Sequence, residues 1–390
     1  MTVTPSRAAE SVLPVLTEHA AAVDAAARFP EEGMQALRAS GLLGLLVPAE
    51  HGGMGGGLSD LLTVGRTLAS ACSSTAMIWA MHCQQVDALV RHATPRLHTE
   101  LLPRIASGEV YLASVTTEAA TGGRLLTAAA ALHETGELLD LRREAPIVTG
   151  GLHADGYLVT MRAGEEASRQ SVSLVYVDRD QLDYETAGTW DPLGMRGTQS
   201  VAMTLTASVP RHHVVGVPGE FRDVAVDSMI PVGHLGWAAC WLGAAQGALR
   251  DVVRLIGSRR RPGSLDPASD LVRERLARVR LDLELVSAYV ERAAAEVMEH
   301  RAAGTSLDEP TTQIHLNVVK VAAAELTFGA VNRLVQLVGM STGYMRTSSL
   351  PLERVFRDLR SASLNNADDR LLVATGALSL LDRGVRLAGQ

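Results

Sequence analysis

The sequence predicts a mainly α protein with a β domain at its centre. Hydrophobic residues make up 47% of the 390, but aromatic residues only 4%. The core must therefore be built from Leu, Val and Ala, a composition that favours helices. Apolar residues recur at three- and four-residue steps toward both ends of the chain, the period of a helix buried on one face. Between these regions, short runs alternate apolar and polar residues as half-buried strands do. The boundaries read as a helical domain over 1–110, a β domain over 111–219 and a helical domain over 220–390.

The N-terminal part is helical from Glu10 to Gly108. Pro30 suits the start of a helix through Glu31–Ser40, and Gly41 suits its end. Gly52–Gly57 (GGMGGG) reads as a loop, because no GK[ST] follows to make it a phosphate cradle. Helices follow from Ser59 to about Ala71 and from the capping run Ser73–Ser74–Thr75. The latter carries Met77, Trp79, Met81 and His82. In the β region, Ser171–Val177 and Ser200–Thr206 alternate cleanly, predicting an antiparallel domain. Leu276, Val279, Leu283, Val286, Val290 and Val297 then mark a long amphipathic helix. Thr311–Val338 and Asp368–Leu387 give two more, and long helices with little charge pack as a bundle.

Composition excludes several function classes. A net charge of −7 argues against a nucleic-acid partner or a basic membrane-surface helix. Cys72, Cys83 and Cys240 are scattered, with no CxxC pair, so neither a disulfide framework nor a zinc site is indicated. The twelve histidines show no HxxxH spacing, and no metal is expected. His212–His213, beside Pro210, are expected to be exposed. The longest apolar stretch, Leu235–Ala245, is too short to span a bilayer, and no signal peptide is visible. The expected location is cytoplasmic.

The ordered motifs are more specific than any one of them. They are FPEEGMQALRASGLLGLLVPAEHGGMGGG from Phe29, LLPRIASGE from Leu101, VTTEAATGG from Val115, LGMRGTQS from Leu193, GAAQGAL from Gly243 and GYMRTSSLPLERVFRDLRSA from Gly343. In this order the chain resembles the acyl-CoA dehydrogenase superfamily of flavoproteins, from about Phe29 to Leu381. The resemblance implies an N-terminal helical domain, a middle antiparallel β-barrel domain and a C-terminal four-helix bundle, with FAD between the last two. It also implies a homodimer or homotetramer in which a neighbouring subunit completes the site.

By the same resemblance, Thr117 and Thr149 correspond to the flavin-contacting threonines, with Ile147 in place of the usual Trp. Arg259, Gln336 and Gly339 correspond to positions that reach the FAD of the partner subunit. The family's catalytic glutamate, nine residues beyond the Arg of the RD pair, is Asn366 here, and an amide cannot accept that proton. The alternative glutamate position falls near Gly233, beside His234. Gly123 stands where the family has a serine that contacts the thioester. His234 or Asp368 could supply a base placed differently; His234 also suits an apolar core, and Asp368 a helix cap. Three readings remain open. The first is oxidation of an unusual acyl thioester, on CoA or a carrier protein, such as the hydroxyacyl or aminoacyl groups that relatives in natural-product pathways oxidise, with an electron-transfer partner. The second is a two-component monooxygenase fed by a flavin reductase, with His82, Ser114 and His234 near the flavin. The third is a non-catalytic subunit of a heteromer. Arg124 and the Arg259–Arg261 run could meet a ligand phosphate.

Overall fold

The computed structural model describes residues 3–122 and 124–389, leaving Gly123 outside them. Helices fill both ends. The N-terminal set is α1 (Pro5–Ala26), α2 (Glu31–Ala39), α3 (Leu58–Ala69), α4 (Ser73–His92) and α5 (Pro95–Ala106). Thr4 and Thr94 cap α1 and α5 through side-chain oxygens that accept from Arg7 N and Leu97 N, satisfying N–H groups the helices leave free. α4 is buried on nearly every side.

The strands are β1 (Leu112–Val115), β2 (His133–Thr135), β3 (Leu138–Val148), β4 (Gly156–Arg162), β5 (Val172–Asp178), β6 (Leu182–Ala187), β7 (Val201–Pro210) and β8 (Val214–Val215). They form two four-stranded sheets, ordered β1-β4-β5-β8 and β2-β3-β7-β6. The inner faces of both sheets share the main core, through residues such as Leu141, Met203, Val159 and Val175. Leu112, Leu158 and Leu174 face the other way, into a second core with α4 and α5. One pair departs from the antiparallel expectation: β1 runs parallel to β4. The chain crosses to the other sheet as β2 and β3 before returning, which gives the long connection a parallel pair needs. Alternation alone cannot show strand direction.

The C-terminal set is α6 (Phe221–Val224), α7 (Ile230–Gly257), α8 (Asp270–Ala303), α9 (Pro310–Gly339), α10 (Leu352–Arg360) and α11 (Asp368–Ser379). A π-helical turn, Ala225–Met229, leads into α7. α9 is the centre of the bundle and packs on α7, α8, α10 and α11. By length and composition the helical stretch Pro310–Tyr344 could cross a membrane, a case the apolar-run count missed; 61% of its most apolar window is buried inside the fold. α11 stops at Ser379, short of the expected Leu387, and Leu380, Leu381 and Val385 beyond it are exposed.

The RD pair joins three segments. Arg357 binds Asp24 of α1 and Glu353, while the Asp358 carboxylate accepts from Met195 N at 2.6 Å. Gly194 beside it lies against the Arg357 carbonyl, where any Cβ would clash with backbone. The LGMRG loop is thus a packing device that seats α10 on the β domain.

Candidate active site

A cavity of about 300 Å³ opens between the β domain and the bundle. Its β wall presents Ser114 in β1, Thr116 and Thr117 just beyond it, and Ile147 and Thr149 at the end of β3. Met81 and Gln84 come from α4, and Met229 and Trp237 from around the start of α7. The opposite wall is the Leu364–Ala367 loop with Arg370. Thr117, Thr149 and Asn366, which lie far apart in the chain, therefore meet in one cavity. Arg370 is the one charged group among the described lining residues; no lining carboxylate exists among them.

The β wall is held from behind. Glu118 and Arg143 form a buried ion pair at 3.0 Å, and Glu118 also accepts from Ala129 N and Ala130 N. Burial lowers the Arg143 pKa against the pull of Glu118. The Thr117 hydroxyl donates to Ile147 O at 3.0 Å. Thr198 donates to Met195 O, so the proton in its 2.9 Å contact with Ser200 comes from Ser200. Each hydroxyl holds one proton, so Thr149 donates in its 3.1 Å contact with Ser200. Both threonine hydroxyls therefore spend their protons on the protein and keep only acceptor lone pairs. They suit the ring N–H of a planar heterocycle such as a flavin, whose polar edge the wall can meet.

The bundle wall is held differently. Lys320, fully buried on α9, donates to Ala362 O at 2.9 Å and pairs with Asp368. Its ammonium also lies 5.5 Å from the centre of the Trp241 ring. Asp368 N donates back to Ser363 O. One ammonium thus closes both ends of the loop that carries Asn366. Burial raises the Asp368 pKa and lowers that of Lys320. Asp368 opens α11 and does not line the cavity. His234 is buried behind Asn366, its Nδ1 2.9 Å from Leu316 O and its Nε2 3.0 Å from Asn366 Nδ2. Burial pushes its pKa down to about 4. Both ring nitrogens are engaged, and neither His234 nor Asp368 meets the cavity as a free base.

Other expected residues lie elsewhere. Arg259 and Gln336 are exposed, Gly339 takes φ +78°, and none of the three lines the cavity. His82 is a core residue: Leu112 N donates to its Nδ1, its Nε2–H donates to Leu43 O, and burial lowers its pKa to about 4. Trp79 is also core, bonded to Leu42 O, and Arg124 is exposed. The thioester-contact position, Gly123, lies outside the described residues. His213, expected at the surface, is buried, and its Nδ1–H donates to Tyr176 O at 3.1 Å. Spacing also missed that Glu100, His212 and His213 bring three ligand atoms within 4.8 Å of one another; Arg96 already engages that Glu100. The three cysteines are free and buried. Sequence reasoning missed Lys320, Arg143 and Arg370. A lone Lys in the apolar run VVKVAAA was the available signal for the first.

A hydroxyl-edged cavity between a β domain and a helical bundle defines a class of cofactor-binding α+β proteins. The family model "Acyl-CoA dehydrogenase, N-terminal domain" matches residues 6–109, and "Acyl-CoA dehydrogenase, C-terminal domain" matches 235–366. The chain belongs to the acyl-CoA dehydrogenase superfamily. It is 23% identical to the short-chain-specific acyl-CoA dehydrogenase of Clostridium acetobutylicum, over 92% of each chain. It is 24% identical to the mitochondrial isobutyryl-CoA dehydrogenase of Dictyostelium discoideum, over 88% of this chain and 80% of that one. Among solved structures, butyryl-CoA dehydrogenase of Megasphaera elsdenii superposes with a TM-score of 0.83 at 19% identity, covering 97% of this chain and 99% of that one. The FMN-bound TdsC of Paenibacillus sp. A11-2 superposes at 0.87 and 20%, covering 97% and 98%. These structures share the fold.

Proposed function

We propose that the protein is a flavin-dependent oxidoreductase that oxidises an acyl thioester held by CoA or a carrier protein, with FAD in the cavity between β domain and bundle. The observation that carries this is the convergence of Thr117, Thr149 and Asn366 on one cavity, in a chain with both superfamily domains. Bound there, the flavin supplies the hydride acceptor. The chain's own residues do the rest. Thr117 and Thr149 would face the polar edge of the ring and fix its height against the β wall. Ile147 and Trp237 add apolar surface. Asn366 faces the acyl group and cannot remove an α-proton, so simple desaturation of a saturated acyl chain lacks its base. Asp368 serves the Lys320 ion pair, and His234 serves Asn366.

Exposed Leu281, Leu285, Met340 and Tyr344 on the C-terminal helical domain support a homodimer or homotetramer. In it Arg259, Gln336 and Gly339 would reach a partner's flavin. An electron-transfer protein is the expected partner, and the cytoplasm the expected location.

A second reading, a two-component monooxygenase supplied by a flavin reductase, is favoured by one observation. The described cavity lining lacks a carboxylate, and its threonines offer acceptors, which suit a reduced flavin with its extra N–H groups. Dibenzothiophene monooxygenase TdsC shares the fold.

Anaerobic mixing of the flavin-loaded protein with butyryl-CoA tests the reading. The flavin absorbance should stay unbleached; rapid bleaching would overturn the role given to Asn366. Chemical reduction followed by air then separates the two enzymes. Slow reoxidation supports the thioester oxidoreductase, and fast reoxidation with hydroxylation of added indole supports the monooxygenase. Protein that retains flavin in neither state would favour a non-catalytic subunit.

A further inference from the structure

A second cluster of ligating side chains lies outside the cavity, where the exit of the β domain meets α5. Pro210 ends β7, and the next three residues, Arg211–His213, form a single tight helical turn. β8 then pairs Val214 with Val175 of β5, which sets His213 beside Tyr176. His213 is only 7% exposed. Its Nδ1–H donates to Tyr176 O at 3.1 Å, which leaves the lone pair on Nε2. Nε2 makes no hydrogen bond to any described residue. The His212 ring stands edge-on to the His213 ring, with centres 4.8 Å apart. His212 O accepts from Oγ1 of Thr94, the residue that caps α5, and this ties the turn to the helix. Further along α5, Glu100 places its Oε2 3.1 Å from His212 Nε2. Glu100, His212 and His213 each bring one ligand atom within 4.8 Å of the others.

We propose that Glu100, His212 and His213 form a binding site for one divalent cation of the zinc class, which clamps α5 to the turn leaving the β domain. The ligands are Nε2 of each histidine and a Glu100 oxygen, with water at the remaining position. An ion pair between Glu100 and His212 needs no second imidazole, yet His213 is buried beside it with its lone pair unused. The backbone carbonyl of Tyr176 fixes the tautomer of His213, as the outer partner of a metal-bound histidine does. Two imidazoles and one carboxylate suit Zn2+, Co2+ or Ni2+, whereas Mg2+ and Ca2+ take oxygen ligands. Ligand atoms around a tetrahedral Zn2+ lie about 3.3 Å apart. Rotation of Glu100, whose side chain is 45% exposed, closes the wider spread. Arg96 holds the other oxygen, Oε1, in an exposed pair of the kind that contributes little. Histidine spacing does not reveal this site, because the carboxylate lies 112 positions from its histidine.

The test titrates Zn2+ into the protein after a chelator has removed any bound metal, with calorimetry as the readout. The wild type should take up one equivalent, and excess Mg2+ should not displace it. Glu100→Gln and His212→Gln change partly exposed side chains, so both should fold. Each should weaken Zn2+ binding by more than about tenfold, since loss of an outer partner alone costs that much. His213→Gln should do the same; if this buried change fails to fold, the other two variants carry the test. Arg96→Gln frees Glu100 of its competing cation and should tighten binding by about two- to fivefold. His133→Gln, at an exposed histidine outside the cluster, should leave binding unchanged. Zn2+ should also raise the denaturation midpoint of the wild type and leave that of His212→Gln where it was. A wild type that takes up no Zn2+, or uptake that survives undiminished in both Glu100→Gln and His212→Gln, overturns the proposal. Displacement by Mg2+ overturns the metal class assigned to it.

Discussion

Across the cavity, the β wall and the bundle wall each rest on a buried ion pair, but the two pairs are supported differently. Glu118 has Arg143 and two backbone N–H groups. Asp368 has Lys320 alone, and its Oδ2 is buried without a hydrogen-bond partner. The β-wall pair braces a loop that runs on from β1. The bundle-wall pair braces a loop between two short helices, with Asn366 in a left-handed conformation at its centre. The wall whose carboxylate has the fewer donors is the one that carries Asn366, at the position where the resemblance places a glutamate.

Removing one cation from each wall should show that asymmetry. Lys320→Met leaves Asp368 buried and unpaired, at the upper end of the roughly 3–5 kcal/mol that breaking such a pair costs. Arg143→Met should cost less, because Glu118 keeps its backbone donors. Denaturant unfolding of the two variants checks the order; an equal or reversed cost would mean the loop's support lies elsewhere. The paired change Lys320→Met with Asp368→Leu removes both charges and should restore most of the stability, since an apolar replacement of a buried pair is often neutral.

Acid should act on both sides of the site at once. His82, behind the start of β1, and His234, behind Asn366, are both held neutral, with pKa values near 4 against an ordinary 6.5. The unfolded chain binds a proton at each below pH 6.5, while the folded chain does not until about pH 4. Stability is therefore full above the higher value and falls as pH drops toward the lower one, by about 3 kcal/mol for each histidine. Unfolding free energies measured from pH 7 to pH 4 should show this loss. His82→Gln should remove about half of the slope attributable to the pair.

The two walls also explain what could be read from the chain alone. Thr117 and Thr149 were placed by the resemblance, through short contiguous motifs at the ends of β1 and β3, and both line the cavity. The helices were legible from their periodicity, down to the start of α2 at Glu31 and of α4 at Ser73. For His234 and Asp368 the chain alone left two roles open, a base or a structural residue, because their partners are distant in sequence. His234 is bonded to residues 82 and 132 positions away, and Asp368 to one 48 positions away. The parallel β1–β4 pair was hidden for the same reason: its partner is set by a crossover, which alternation does not encode.

The smallest expected effect tests the β wall itself. Thr117→Val and Thr149→Val keep the shape of the side chain and remove one hydroxyl each. Thr117 donates to the carbonyl of Ile147, an exposed residue, where water can take its place after the change. Thr149 ends a chain that runs through Ser200 and Thr198 to Met195 O, and Ser200 keeps its own donation when Thr149 is lost. Neither change should cost more than about 1 kcal/mol of folding stability. Each removes one hydroxyl that faces the ring edge, so flavin affinity should fall by roughly two- to tenfold. Fluorescence titration with FAD measures it. The double variant should lose the product of the two factors if the threonines act on separate atoms of the ring. A loss no greater than either single change would mean that they share one ligand atom, and the β wall would then hold the flavin at a single point.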